Sequence, residues 1–231
     1  MTFDARFAIV ILAAFATANV VASVVAVWQW HRARAPLAPL DRATFLFHLR
    51  LLPLVAALLW SSLATGSFFL FEPRSEEERI GLVLIGVSAL GFALLGAAAM
   101  RVTIAILRHR RLLREWLHNA RPIDLPGVSI PSLAIDATFP VVAIVGIWRP
   151  RLVIAQRVLD ACPADELAAI LDHERGHIRR HDNARRMLLL ALPDPLSWTR
   201  VGRAMDEGWH DAAEEVADEA PGEGRGDAGR V

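Results

Sequence analysis

Three stretches of the chain, Phe7 to Trp28, Leu51 to Phe71 and Ile80 to Met100, contain no Asp, Glu, Arg, Lys or His. A bilayer hydrocarbon core of about 30 Å is crossed by about 20 helical residues, so each stretch is long enough to span one. In lipid the backbone has no water to bond, which leaves the helix as the form that satisfies it. The expected architecture is therefore mainly α and membrane-embedded, with three transmembrane helices. Composition agrees, since 54% of the 231 residues are hydrophobic, more than an ordinary soluble domain of this size carries. Pro53 is expected in the first turn of the second span, where its missing N–H does little harm. Ala89, Ala93 and Ala97 would give the third span a small-residue stripe for close packing, or reflect only an Ala-rich sequence.

The first span reads as a retained anchor. Asp4 and Arg6 leave its start without net positive charge and Arg32 and Arg34 follow it, the reverse of a cleaved leader. The first loop carries Arg32, Arg34, Arg42 and Arg50, and Arg101, Arg108, Arg110, Arg111 and Arg114 follow the third span. The short second loop is acidic, with Glu72, Glu76, Glu77 and Glu78. By the positive-inside tendency the N-terminus lies outside and everything after the third span is cytoplasmic. The formal net charge is zero, and the basic run after the third span has no aromatic interleaving beyond Trp116. Direct nucleic-acid binding is therefore not expected.

The chain divides on this reading into a three-span anchor (1–107), a basic juxtamembrane connector (108–140), a small α+β domain (141–220) and a disordered tail (221–231). The connector is broken by prolines from Pro122 to Pro140 and holds one short strand near Leu133-Ala134-Ile135. Two β-branched runs, Val141 to Val145 and Arg151 to Ala155, flank a Gly146–Pro150 turn and predict a β-hairpin. One helix is expected from about Pro163 to Leu190, and a last one from about Val201 to Ala220.

The first of these helices carries His173-Glu174-Arg175-Gly176-His177. Histidines four apart project from one helix face, one turn apart, and can share one ion. Glu174 can reach a water beside that ion without ligating it, as a general base must. Two histidines and a Glu can also meet on a surface helix by chance. Here, however, the motif interrupts the apolar face formed by Leu167, Ile170, Leu171 and Ile178. Cys162 is the one cysteine, so a metal site would rest on His and carboxylates.

A catalytic site needs a third protein ligand. On an unbroken helix His181 would stand roughly 12 Å along the axis from His173, too far to share its metal. A third His after a Gly turn is also excluded, because Arg180 and Asn183 stand where it would be. The remaining option is a carboxylate of the last helix. Glu214 is the favoured ligand, with Asp218 one turn on to accept the free N–H of a ligating histidine. Glu207, Glu215 and Glu219 compete as a solvated acidic face, and His210 is an alternative ligand. Two imidazoles and a carboxylate suit Zn²⁺ best. Tyrosine is absent, so a transition-state oxyanion would fall to His210, His181 or Arg149.

These residues resemble a known group. Pro140, Gly146, Arg149-Pro150 and the hairpin, Asp165-Glu166-Leu167, His173 through Asp182, Pro195-Leu196-Ser197-Trp198 and Glu214-Glu215-Val216-Ala217-Asp218 look like the BlaR/MecR-type membrane metallopeptidases. More distantly, the order of hairpin, HExxH helix and Glu-x-x-x-Asp helix is similar to the HtpX/CAAX-protease group of gluzincins. The resemblance covers about 80 residues at the C-terminal end. It implies a gluzincin-like fold for 141–220, with His173, His177 and Glu214 as zinc ligands and Glu174 as general base and acid. It also implies a bacterial-type plasma membrane and a protein substrate cut at the cytoplasmic face, which in the sensor group is a transcriptional repressor. No penicillin-binding sensor follows Asp218, so β-lactam sensing is not implied; a membrane sensor partner or a quality-control role is compatible. The alternative is a catalytically silent membrane regulator, against which stands Glu174, since a binding module needs no general base. A transporter is disfavoured because the three apolar stretches hold no ionisable residue.

Overall fold

The computed structural model describes residues 2–33, 37–73, 80–125, 128–147 and 149–219. The tail expected at 221–231, most of the acidic second loop and Arg34 lie outside these residues. Three long helices come first, α1 (Phe3–Arg32), α2 (Pro39–Phe71) and α3 (Leu82–Leu117). They are followed by β1 (Arg121–Ile123), β2 (Ser132–Ile135), β3 (Val142–Val145), β4 (Arg151–Ala155), α4 (Gln156–Ala161), α5 (Ala164–Arg179) and α6 (Asp182–Ala191). A 3₁₀ turn at Pro195–Trp198 leads into α7 (Arg200–Asp218). Among the described residues α1, α2 and α3 are long and apolar enough to cross a membrane. The chain is thus a mainly-α membrane fold with a small sheet-bearing domain after the long helices.

Contacts divide the chain into two compact units, Met1–Thr103 with Leu188–His210, and Ile104–Met187 with Asp211–Val231. In the first unit α1 and α2 pack antiparallel. Arg6 near the start of α1 pairs with Glu72 past the end of α2 at 2.8 Å, and Ala26 near the other end packs with Leu49. Two expectations are corrected here. Because α2 begins at Pro39, Pro53 is buried in the helix interior and not in a first turn. On α3 the buried positions are Ser88, Gly91, Leu94 and Ala98, whereas Ala89 and Ala93 are exposed. Gly91 faces the Leu12 carbonyl so closely that any Cβ there would overlap it; the close approach selects glycine.

The segment that joins α6 to α7 is gripped within this unit by one polar side chain from each long helix. Asn19 of α1 donates to the Pro193 carbonyl at 3.0 Å. Arg50 of α2 reaches Asp194 at 3.1 Å and Asp206 of α7 at 2.7 Å. Arg101 of α3 donates to the carbonyls of Leu190 (3.3 Å) and Leu192 (2.6 Å). Arg50, read from sequence as a loop charge, is helical and fully buried. A buried charge is tolerated only when paired, and the two carboxylates supply that pairing. Asp194 also caps the 3₁₀ turn through the Ser197 N–H at 3.0 Å.

In the second unit the four strands form one sheet in the order β1-β2-β4-β3. The stretch read as a connector supplies two of them. β2 runs parallel to β4, and β1 antiparallel to β2. The expected hairpin is present as the antiparallel pair β3–β4, with Ala143 opposite Val153. Alternation along β4 fills both faces: Val153 packs with Ile135, Val145 and the last turns of α3, while Leu152 and Ile154 pack against Leu171 of α5. β4 is therefore central, and β3 is an edge strand beside α5.

The single helix expected from Pro163 to Leu190 is broken. α5 ends at Arg179, His181 adopts a left-handed φ of 55°, and α6 restarts at Asp182. Five residues along a continuous helix, Asp182 would face away from His177; the break turns its carboxylate back onto the His177 ring.

Candidate metal centre

α5 presents His173 and His177 one turn apart, and α7 brings Glu214 to them. Gly176 stands at that approach, where a Cβ would lie 3.4 Å from the Ala217 Cα and 3.6 Å from its Cβ. The Nε2 atoms of the two histidines stand 3.2 Å apart. Each is 3.4 Å from the Glu214 Oε2.

The other ring nitrogens are occupied. His173 Nδ1 meets the Asp218 carboxylate at 2.7 Å, and His177 Nδ1 meets the Asp182 carboxylate at 2.7 Å. A carboxylate beside Nδ1 assigns the proton to that nitrogen and leaves a lone pair on Nε2. Three lone-pair atoms then converge, an arrangement that repels itself unless a cation sits among them. A tetrahedral ion with bonds of about 2.0–2.1 Å sets its ligand atoms about 3.3 Å apart. The donor set and its spacing therefore fit a zinc-sized ion, and among the described residues this is the one His/Cys/Asp/Glu group that converges so.

Burial raises Glu174 above the ordinary carboxylate range, against the lowering effect of the two histidines and of the nearby Ile144 backbone of β3. The hydrogen bond to Asp182 raises His177 in spite of burial. Burial alone would raise Asp182, but His177 and Arg180 outweigh it and hold it below the usual range.

Three residues of this site carry no role in the sequence reading. Asp182 is one. Arg180 is another: it donates to Asp182 at 3.1 Å and to the Ala213 carbonyl at 3.0 Å, joining the α5–α6 break to the residue before Glu214. Arg186 holds the Glu214 Oε1 at 2.8 Å, so that Oε2 is the atom turned to the histidines. The i, i+5 spacing of His177 and Asp182 gives no helical signal for the contact, and the arginines look like ordinary helix-surface charges. Asp218 stands where its spacing from Glu214 suggests. Arg149, His181 and His210 are exposed, and none of them is among the three convergent donors.

No curated protein and no solved structure matches the chain. Residues 127–198 match the family model described as BlaR1 peptidase M56. The matched stretch carries β2 to α6, both histidines and Glu174, and it ends before α7 with Glu214 and Asp218. Over this stretch, less than half of the chain, the protein is similar to the BlaR1-type peptidases, the group that its motifs resemble.

Proposed function

We propose that the protein is a membrane-anchored, zinc-dependent endopeptidase that cuts a protein substrate at the cytoplasmic face. The carrying observation is the convergence of His173 Nε2, His177 Nε2 and Glu214 Oε2 at 3.2–3.4 Å beside a half-buried carboxylate, Glu174. The matched peptidase family supports the hydrolase reading. His173, His177 and Glu214 would hold the ion, with Asp218 and Asp182 fixing the two rings. When bound, zinc supplies Lewis-acid polarisation of the scissile carbonyl and brings the pKa of water to about 7.

The remaining steps belong to the chain. Glu174 accepts the proton of the attacking water on a carboxylate oxygen and returns it to the leaving amine. Its raised affinity for a proton suits both halves of that transfer. Arg149, His181 or His210 would stabilise the developing oxyanion. Three spans, with the N-terminus outside, follow from the arginine distribution. The substrate would be regulatory, of repressor type, or a protein under quality control, with a membrane sensor partner for the regulatory case.

The test is metal content of the detergent-purified chain by elemental mass spectrometry, with Glu174→Ala and Glu214→Ala beside the wild type. About one zinc per wild-type chain, its loss in Glu214→Ala, and retained zinc without peptidase activity in Glu174→Ala are the expected results. A folded wild-type chain without metal would sink the reading and favour a silent membrane regulator.

A further inference from the structure

β3 is the last strand of its sheet, so one row of its backbone groups turns away from β4. The pairing register identifies that row. Ala155 N–H donates to the Val141 carbonyl at 2.8 Å, directly opposite it in the register that pairs Ala143 with Val153. Antiparallel strands alternate bonded and outward residues. Val141, Ala143 and Val145 therefore bond β4, while Val142, Ile144 and Gly146 turn their groups to the free edge.

That edge is already engaged at two of the three positions. The Ile144 backbone lies near enough to Glu174 to favour its charged form. The Asn183 Nδ2 donates to the Ile144 carbonyl at 3.0 Å and reaches the Gly146 carbonyl at 3.4 Å. Asn183 follows Asp182 in the first turn of α6, just past the break. Adjacent side chains at that break thus go to opposite tasks, one to the His177 ring and one to the strand edge. The outward position at which Asn183 takes no carbonyl is Val142.

We infer that Asn183 is a positioning residue for an extended substrate, fixing the free edge of β3 against the metal-bearing helix so that the substrate backbone pairs at Val142. The inference rests on the peptidase reading above. An edge strand offers a peptide main-chain hydrogen bonds in register. That register is useful only if the strand stays at a set distance from Glu174. A side-chain amide bridging two carbonyls of the strand sets that distance, and no charge is buried in doing so.

Asn183→Leu keeps the approximate volume and removes the donor; Asn183→Asp keeps the shape and removes it too. Both are compared with wild type in detergent by hydrogen–deuterium exchange over 142–146, by zinc content, and by KM and kcat. The probe is one quenched-fluorescent peptide that wild type cuts, taken from a mixed-sequence pool. Zinc content is expected to hold while exchange over 142–146 quickens and KM rises, each about three- to tenfold, the scale of one or two neutral hydrogen bonds. The kcat should stay within about twofold.

Unchanged exchange and KM in a wild-type-like fold would overturn the role of Asn183 alone. So would a lowered KM, which would make the amide a strap over the edge. Loss of protection throughout the domain in both variants would reduce Asn183 to a stabilising contact. A zinc-loaded wild type that cuts no peptide would instead bring down the peptidase reading and this role with it.

Discussion

At the scale of single residues, the two histidines differ in how their second nitrogens are held. Asp182, partner of His177, has a side chain only 2% exposed and shares its oxygen with Arg180. Asp218, partner of His173, is 73% exposed, so water can replace it. Carboxylates behind ligating histidines are commonly worth about 10–100-fold in metal affinity, and the buried one should sit at the upper end. Asp182→Asn is expected to weaken zinc binding by about 100-fold and Asp218→Asn by about tenfold or less, read by competition with a chromogenic chelator. Equal losses would mean that exposure does not govern the pair. Arg186→Ala tests the third ligand in the same assay. Losing the guanidinium at Oε1 lets Glu214 rotate, and a loss of about threefold to tenfold is expected, the scale of a charge-assisted hydrogen bond at a half-exposed site.

At the scale of elements, what was legible in the sequence followed local periodicity. The apolar stretches announced α1 to α3, the β-branched runs announced β3 and β4, and the four-residue spacings of His173/His177 and Glu214/Asp218 announced faces of α5 and α7. What stayed hidden depended on non-local contact. The left-handed turn at His181 has no Gly or Pro to signal it, so one helix was expected where two exist. Asp182 was invisible as a ring partner for the same reason. The helices also run past the apolar stretches, since α2 begins twelve residues before Leu51 and takes in Arg50. The α5–α7 contact makes its own prediction. One methyl group at Gly176 would be in ordinary van der Waals contact with Ala217 and would ask the flexible end of Arg180, 3.3 Å away, to give slightly; a larger side chain would meet the α7 backbone. Gly176→Ala should keep the metal, whereas Gly176→Leu should push α7 and Glu214 from the histidines and lower zinc occupancy well below one per chain. Full occupancy in the leucine variant would show that α7 can shift without carrying Glu214 away.

At the scale of the whole molecule, neither compact unit is continuous in sequence, and the first takes in the Leu188–His210 segment between the site's helices. Its attachment there is polar. Asn19, Arg50 and Arg101, one from each long helix, converge on Leu190–Asp194. The apolar stretches gave no hint of this, because Asn19 is a lone polar residue and both arginines lie just outside their limits. Of the three, Arg50 carries the most at stake, since it and Asp194 have fully buried side chains. Removing one member of a buried ion pair typically costs about 3–5 kcal/mol, mostly because the survivor is left charged without a partner. Arg50→Ala is therefore expected to lower the midpoint of thermal unfolding in detergent markedly and to open Leu190–Ser197 to limited proteolysis. Asp206 would be less affected, its side chain being 37% exposed and able to find water. The double variant Arg50→Met with Asp194→Asn separates charge from shape, because it fills much of the same space and leaves only the part-exposed Asp206 without its partner. It should recover a good part of the lost stability. If the double variant is as unstable as Arg50→Ala, the hydrogen-bond pattern and not charge pairing holds the segment; if it is more stable than wild type, the pair is kept for something other than stability.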